Sequence, residues 1–179
     1  MKDADILITG GYGTVGRRVA ADLAPDYPDR LVVAGRSAEK AAQLVVELGH
    51  GVRGRRVDVG EPDSVEAALD GVGVVMSCID QPEPHLLRAA IRRGLAYTDI
   101  APHLVTRRPT AAMKAEAAQS GARIVLGTGL APSISSLLAR LGADRVDSVE
   151  SVESNVLLSV GDTYGSASRT YLLEEIALP

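Results

Sequence analysis

A doubly wound α/β fold with a parallel sheet is the architecture this sequence predicts, on three observations. Short apolar runs, Ile6-Leu7-Ile8, Leu31-Val32-Val33 and Val74-Val75-Met76 among them, have the length of strands buried on both faces. Between them stand stretches of helical period closed by glycine or proline. The first apolar run also feeds a turn with four glycines in seven residues, Gly10 to Gly16. Strand, glycine turn and helix in that order make the phosphate-binding opening of a Rossmann sheet.

Composition bounds what can be built around that opening. With 179 residues, 46% of them apolar, the chain holds one ordinary domain and a further piece. Five Tyr and no Phe or Trp leave the core to Val, Leu, Ile and Ala, which suits an α/β interior. A net charge of −4 gives no basic footprint, so neither nucleic acid nor an anionic membrane surface is an expected partner. Cys78 is the one cysteine, which rules out an intrachain disulfide, and no Cys/His spacing suggests a metal. The opening Met-Lys-Asp-Ala-Asp has no secretory pattern and no apolar run reaches membrane-spanning length, so a cytoplasmic location is expected.

Taken in order, the first element is the strand at Ile6–Ile8. Gly11, Gly13 and Gly16 fit the dinucleotide fingerprint G-x-G-x-x-G, whose glycines make a tight turn, admit the diphosphate and let helix and strand pack closely. Gly11, Tyr12, Gly13, Thr14, Val15 and Gly16 are therefore the expected diphosphate-binding turn. The helix that follows, with Val15, Val19, Ala20 and Leu23 on its apolar face, ends before Pro25. Leu31 to Gly35 is the second strand, and Ser37 caps a helix reaching Leu48 and Gly49. About twenty positions past the glycines, where an acidic residue would bond the ribose 2′-OH of NAD, stands Arg36, followed by Ser37. Arginine there accommodates a 2′-phosphate, so the expected cofactor is NADP. The alternative for Arg36 is a solvated arginine at a strand end.

The third strand is expected from Arg53 to Val59, followed by a short helix through Leu69. Asp58 and Val59 lie where an adenine edge would rest, although Asp58 can equally cap the loop. The fourth strand, Val72 to Cys78, brings Cys78 and Ile79 to the nicotinamide side of the switch point. Cys78 lacks a His or Asn pattern that would activate a thiol and reads as packing. A helix opened by Pro84 leads to the fifth strand, Leu95 to Asp99, with His103 beyond it. Asp99 is the candidate for acid/base chemistry, with turn-capping as its other role; His103 reads as a surface residue. A helix from Thr110 to Ser120, a sixth strand over Arg123–Gly127 and a helix from Pro132 or Ser133 to Leu141 complete the unit. Apolar residues interspersed with Asp, Ser, Glu and Asn over 146–160 suggest a half-exposed strand of another sheet, and Ser166 or Ser168 caps a last helix.

The glycine turn with Arg36, the segments Val75-Met76-Ser77-Cys78 and Leu95-Ala96-Tyr97-Thr98-Asp99, and the turn Gly127-Thr128-Gly129-Leu130-Ala131-Pro132 resemble the saccharopine dehydrogenase-like oxidoreductases. The resemblance covers about residues 5 to 160. It implies an NADP-binding Rossmann domain over 1–143 and the start of a substrate or dimerisation region, an incomplete α+β extension, over 144–179. Gly165-Ser166-Ala167-Ser168 is similar to a family turn near the substrate end of the cofactor. Thr9 to Gly16 also fits T-G-x-x-G-x-x-G, which resembles extended short-chain dehydrogenases and their non-catalytic NADP-sensing relatives. No tyrosine here has lysine four residues on, which disfavours the short-chain mechanism.

Two functions follow as expectations. One is an NADP-dependent oxidoreductase moving a hydride to or from a small carbonyl, imine or amino-acid-like substrate. The other is a binding module without turnover. A strand such as 146–160 would need cover, so a homodimer through residues 144–179 is expected, or else a shortened chain.

Overall fold

The structure, a computed structural model, describes residues 4–81, 83–100, 111–155, 157 and 165. Its strands are β1 (Asp5–Thr9), β2 (Leu31–Gly35), β3 (Arg53–Arg56), β4 (Val72–Ser77), β5 (Ala96–Asp99) and β6 (Arg123–Val125). The helices are α1 (Thr14–Leu23), α2 (Ala38–Leu48), α3 (Pro62–Ala68), α4 (His85–Arg92), α5 (Ala111–Ser120) and α6 (Ser135–Ala143). All strand pairs are parallel, in the order β3-β2-β1-β4-β5-β6. The order reverses between β1 and β4, so their carboxyl ends open the crevice in which ligands of such sheets bind.

The alternation of side chains along β1 and β2 divides the core into two layers. Ile6 and Ile8 of β1 join Leu31 and Val33 of β2 on the face covered by Ala20, Ala24 and Leu44 of the α1–α2 side. Leu7, Val32 and Ala34 point the other way, into a cluster with Val65, Leu86, Leu87 and Tyr97 on the α3–α4 side. Both layers are filled by branched aliphatics, and Tyr97 is the largest fully buried side chain. Strand β3 reads Arg-Gly-Arg-Arg on the sheet edge. Arg53 pairs with the buried Asp5 of β1, and Arg55 Nη1 donates to Ala68 O at 2.6 Å and Asp70 O at 3.1 Å. Charged side chains of this kind keep an exposed edge from pairing with another chain.

Several elements differ from the sequence reading, each for a local reason. The third strand stops at Arg56 instead of Val59: Val57 N–H makes the last ladder bond to Gly35 O at 2.9 Å, and Asp58 Oδ1 then accepts Gly60 N–H at 3.0 Å, closing a turn. Strand β4 ends at Ser77, although Cys78 N–H still donates to Thr9 O at 2.9 Å. The helix expected from Pro132 or Ser133 instead starts with a π-helical turn over Leu130–Ile134, in which Ile134 N–H reaches Gly129 O at 3.3 Å. Pro132 has no N–H to give an ordinary helical turn there. Of the strand expected over 146–160, residues 146–155 and 157 are described and carry no ladder. Without a partner among the described residues, Val146, Val149 and Val152 stay exposed.

Candidate functional site

The glycine turn leaves β1 and enters α1 at the switch point. Gly11 N–H donates to Ala34 O of β2 at 3.0 Å, and Gly13 N–H to Gly10 O at 2.8 Å, so backbone bonds help to fix the loop. A Cβ on Gly16 would stand 2.2 Å from Gly10 O, which is why helix and strand can approach only with glycine there. Gly13 occupies the N-cap in an extended conformation without a side-chain cap, and no acidic residue lies in the first turn. The first N–H groups of α1 thus have no side-chain acceptor, and Gly13, Thr14 and Val15 are exposed around them. Val15 is 42% exposed, so it belongs to the mouth of the site and not to the helix's core stripe. An anion is the complement of such a helix end.

Tyr12 connects this turn to the end of β2. Its hydroxyl accepts the Ser37 backbone N–H at 2.9 Å, and its ring lies so close over Gly35 that a Cβ there would meet Oη at 2.6 Å. Ser37 Oγ accepts Lys40 N–H at 3.2 Å as the N-cap of α2, as its position before Ala38 suggested. Arg36 between them is exposed and, among the described residues, makes no ion pair. The glycine turn after β1 and the start of α2 are therefore joined by one side chain.

Asp58 and Val59 follow β3. The Asp58 carboxylate accepts Gly60 N–H and its own backbone N–H donates to Ser64 Oγ at 3.0 Å, so loop capping is its observed role. Val59 is half-buried against the α3–α4 cluster. Cys78 and Ile79, at the tip of β4, are half-buried beside the turn. Burial pushes the Cys78 thiol from 9.0 up to about 11, which holds it protonated at neutral pH and removes the thiolate a nucleophile would need.

Asp99, at the tip of β5, is fully buried. Its Oδ1 accepts Gly127 N–H at 2.9 Å, and its backbone carbonyl accepts Thr128 N–H and Thr128 Oγ1–H, both at 2.7 Å. The carboxylate thus holds the turn after β6 onto the end of β5. It lies next to a polar group that sequence reasoning missed: Gln81 Nε2 donates to Ser77 Oγ at 3.2 Å and to Tyr97 Oη at 3.0 Å, while Thr9 Oγ1 donates to Ser77 Oγ at 3.3 Å. Burial, and then the Asp99 charge, raise the Tyr97 phenol well above its ordinary 10.0. Polar side chains at the ends of three apolar strands were the available signal for this network; nothing in the sequence pointed to Gln81.

Gly165 lies beside the start of α1, where a Cβ built on it would be 4.0 Å from Thr14 Oγ1. That puts the one described residue of the Gly165–Ser168 segment next to the glycine turn. His103, Ser166 and Ser168 lie outside the described residues. Among the described residues no group of three or more His, Cys, Asp or Glu is arranged to hold a metal, and no helix is long and apolar enough to cross a membrane.

Comparison with known proteins bears on this geometry. Residues 6–125 match the family model of the saccharopine dehydrogenase NADP binding domain, and NADP is the cofactor of that domain. Among solved structures, the fold is similar to that of saccharopine dehydrogenase (L-Glu forming) from Saccharomyces cerevisiae, with TM-score 0.65 and 24% identity over 80% of this chain. The match covers 31% of the yeast chain, so the present chain corresponds to about a third of that protein's length. The triphenylmethane reductase of Citrobacter sp., solved with NADP(H), is similar over 68% of this chain and 48% of its own, with TM-score 0.53 and 20% identity. Since the family match runs from Ile6 of β1 to the end of β6, with the glycine turn and Arg36 inside it, the chain belongs to the saccharopine dehydrogenase NADP-binding domain family.

Proposed function

We propose that this chain is the NADP(H)-binding part of an oxidoreductase of saccharopine dehydrogenase type, transferring a hydride to or from a small carbonyl, imine or amino-acid-like substrate. The observation that carries the reading is the uncapped start of α1 behind Gly13, facing the switch point between β1 and β4. In this reading Gly11, Gly13, Thr14, Val15 and Gly16 hold the diphosphate, with backbone N–H groups as donors. Arg36 and Ser37 take the 2′-phosphate, Asp58 and Val59 flank the adenine, and Cys78 and Ile79 back the nicotinamide ribose. The bound dinucleotide supplies the hydride chemistry; the protein's share is to orient it and to exclude water. Residues 1–143 would form the cofactor domain and 144–179 the beginning of a substrate or dimer region, joined across a two-fold axis.

A binding module without turnover is the second reading, favoured by the complete burial of Asp99, the candidate for acid/base chemistry. Titration with NADPH and NADH, followed by an assay of NADPH oxidation against a panel of keto and imino acids, separates the two. Equal affinities for NADPH and NADH would sink the NADP assignment. Tight NADPH binding with no oxidation across the panel would favour the module.

A further inference from the structure

We propose that Tyr12 is a specificity-determining residue for the 2′-phosphate, acting as an uncharged hydrogen-bond donor beside Arg36. This rests on the NADP-binding reading above and adds to it a residue and a direction of hydrogen bonding. The phenol oxygen of Tyr12 accepts the Ser37 backbone N–H at 2.9 Å. With that acceptor site engaged, its own hydrogen is left to be given to something else. The ring has little freedom to turn away, because it is seated over Gly35 at a distance that admits no Cβ.

The same directionality recurs around the start of α2. Ser37 Oγ accepts Lys40 N–H at 3.2 Å, which leaves the serine hydrogen available to an acceptor as well. Arg36 is exposed, makes no ion pair among the described residues and can only donate. The two hydroxyls therefore each have an acceptor site in use and a hydrogen to offer, beside an arginine that can only donate, at the positive end of an 11-residue helix. A phosphate dianion, which only accepts, satisfies such a recess. A ribose hydroxyl, neutral and itself a donor, takes up fewer of these hydrogens and gains nothing from the arginine charge. Discrimination between the two cofactors is thus built from the Tyr12–Ser37 pair as well as from the arginine charge.

The test compares the full chain with its Tyr12→Phe variant, using 2′,5′-ADP and 5′-AMP as calorimetric probes of the adenosine half. Phenylalanine keeps the ring over Gly35 and removes only the hydroxyl, so the fold and the diphosphate turn are retained. The expected result is a roughly ten-fold loss of affinity for 2′,5′-ADP with 5′-AMP changed by less than about two-fold. Unchanged or tighter 2′,5′-ADP binding in the variant would overturn the proposal, and so would equal losses on both probes, which would mark Tyr12 as merely structural. Failure of the underlying reading looks different: the wild-type chain itself would show no preference for 2′,5′-ADP, and the proposal would fall with it.

Discussion

The Tyr12 hydroxyl and the Ser37 backbone N–H, 2.9 Å apart, tie the turn after β1 to the start of α2. Two loops that are separate in sequence thereby become one surface, and Gly35 is the residue that lets the tyrosine ring lie between them. A side chain at position 35 would have to push the ring aside.

Gly35→Ala is therefore expected to cost about 1–3 kcal/mol of stability through overpacking and to weaken NADPH binding in parallel. Urea unfolding and an NADPH titration on the same preparation check it. A variant as stable as wild type, with unchanged affinity, would mean that the ring position is not set by the missing Cβ.

Arg36→Ala isolates the charge at the same place. Loss of a charge-assisted contact with a phosphate predicts NADPH affinity lower by about 10- to 100-fold, with NADH altered by less than about two-fold. If both cofactors weaken equally, Arg36 serves the diphosphate or the fold and not the 2′ position.

The elements that were legible in the sequence are those written in local chemistry. The apolar runs at 6–8, 31–33 and 74–76 mark central strands because both of their faces are buried, and the glycines mark the turn because no other residue fits its close approaches. Ser37 as a cap could be read in the same way. What escaped is long-range: the Tyr12 hydroxyl meets Ser37 across 25 positions, and Gln81 meets Tyr97 across 16. The end of β3 was misplaced because Val57 and Val59 look like strand residues, whereas the Asp58 carboxylate turns the chain at that point. Asp99 was recognised as polar at a strand tip, but only the fold reveals that Gly127 N–H takes up one of its oxygens.

That bond sets up a test of what Asp99 does. Asp99→Asn can keep an oxygen toward Gly127 N–H, so it should retain NADPH binding and lose little stability. Asp99→Ala leaves the N–H buried without its acceptor and should cost about 1–3 kcal/mol. Denaturant unfolding reads both. An Asn variant that folds and binds NADPH as wild type does, yet has lost an oxidation activity found in the substrate panel, would instead assign the carboxylate to catalysis.

Cys78 predicts a loss of stability in alkali. In the unfolded chain the thiol ionises near 9.0, whereas in the folded protein it stays protonated up to about 11. Below pH 9 both states hold the proton and the thiol's contribution is constant. Between pH 9 and 11 only the unfolded state releases it, so stability falls as pH rises, by up to about 2–3 kcal/mol. Tyr97, whose phenol is also raised, works in the same direction at higher pH. Unfolding free energies measured from pH 8 to 11 should decline, and Cys78→Ala should flatten the first part of that decline. A variant whose curve runs parallel to wild type would remove Cys78 as the cause.

The last prediction concerns the far end of the described chain. Leu130, Ile134, Leu137, Leu138 and Leu141 follow one another at helical spacing, and each is between 47% and 63% exposed. Val146, Val149 and Val152 continue the apolar exposure beyond α6. Burying the exposed half of one such leucine is worth about 1 kcal/mol, so the whole row together with the valines is needed to offset the entropy of association. With a second copy as the partner, light scattering on the eluting protein should give a mass near twice 18.7 kDa. Leu138→Glu should return it to the single-chain mass without altering the NADPH affinity, because α6 follows the edge strand β6, from which β4 and β5 separate β1 and its glycine turn. A wild-type chain that stays monomeric at high concentration would rule out the two-fold pairing and leave the leucine row to some other cover.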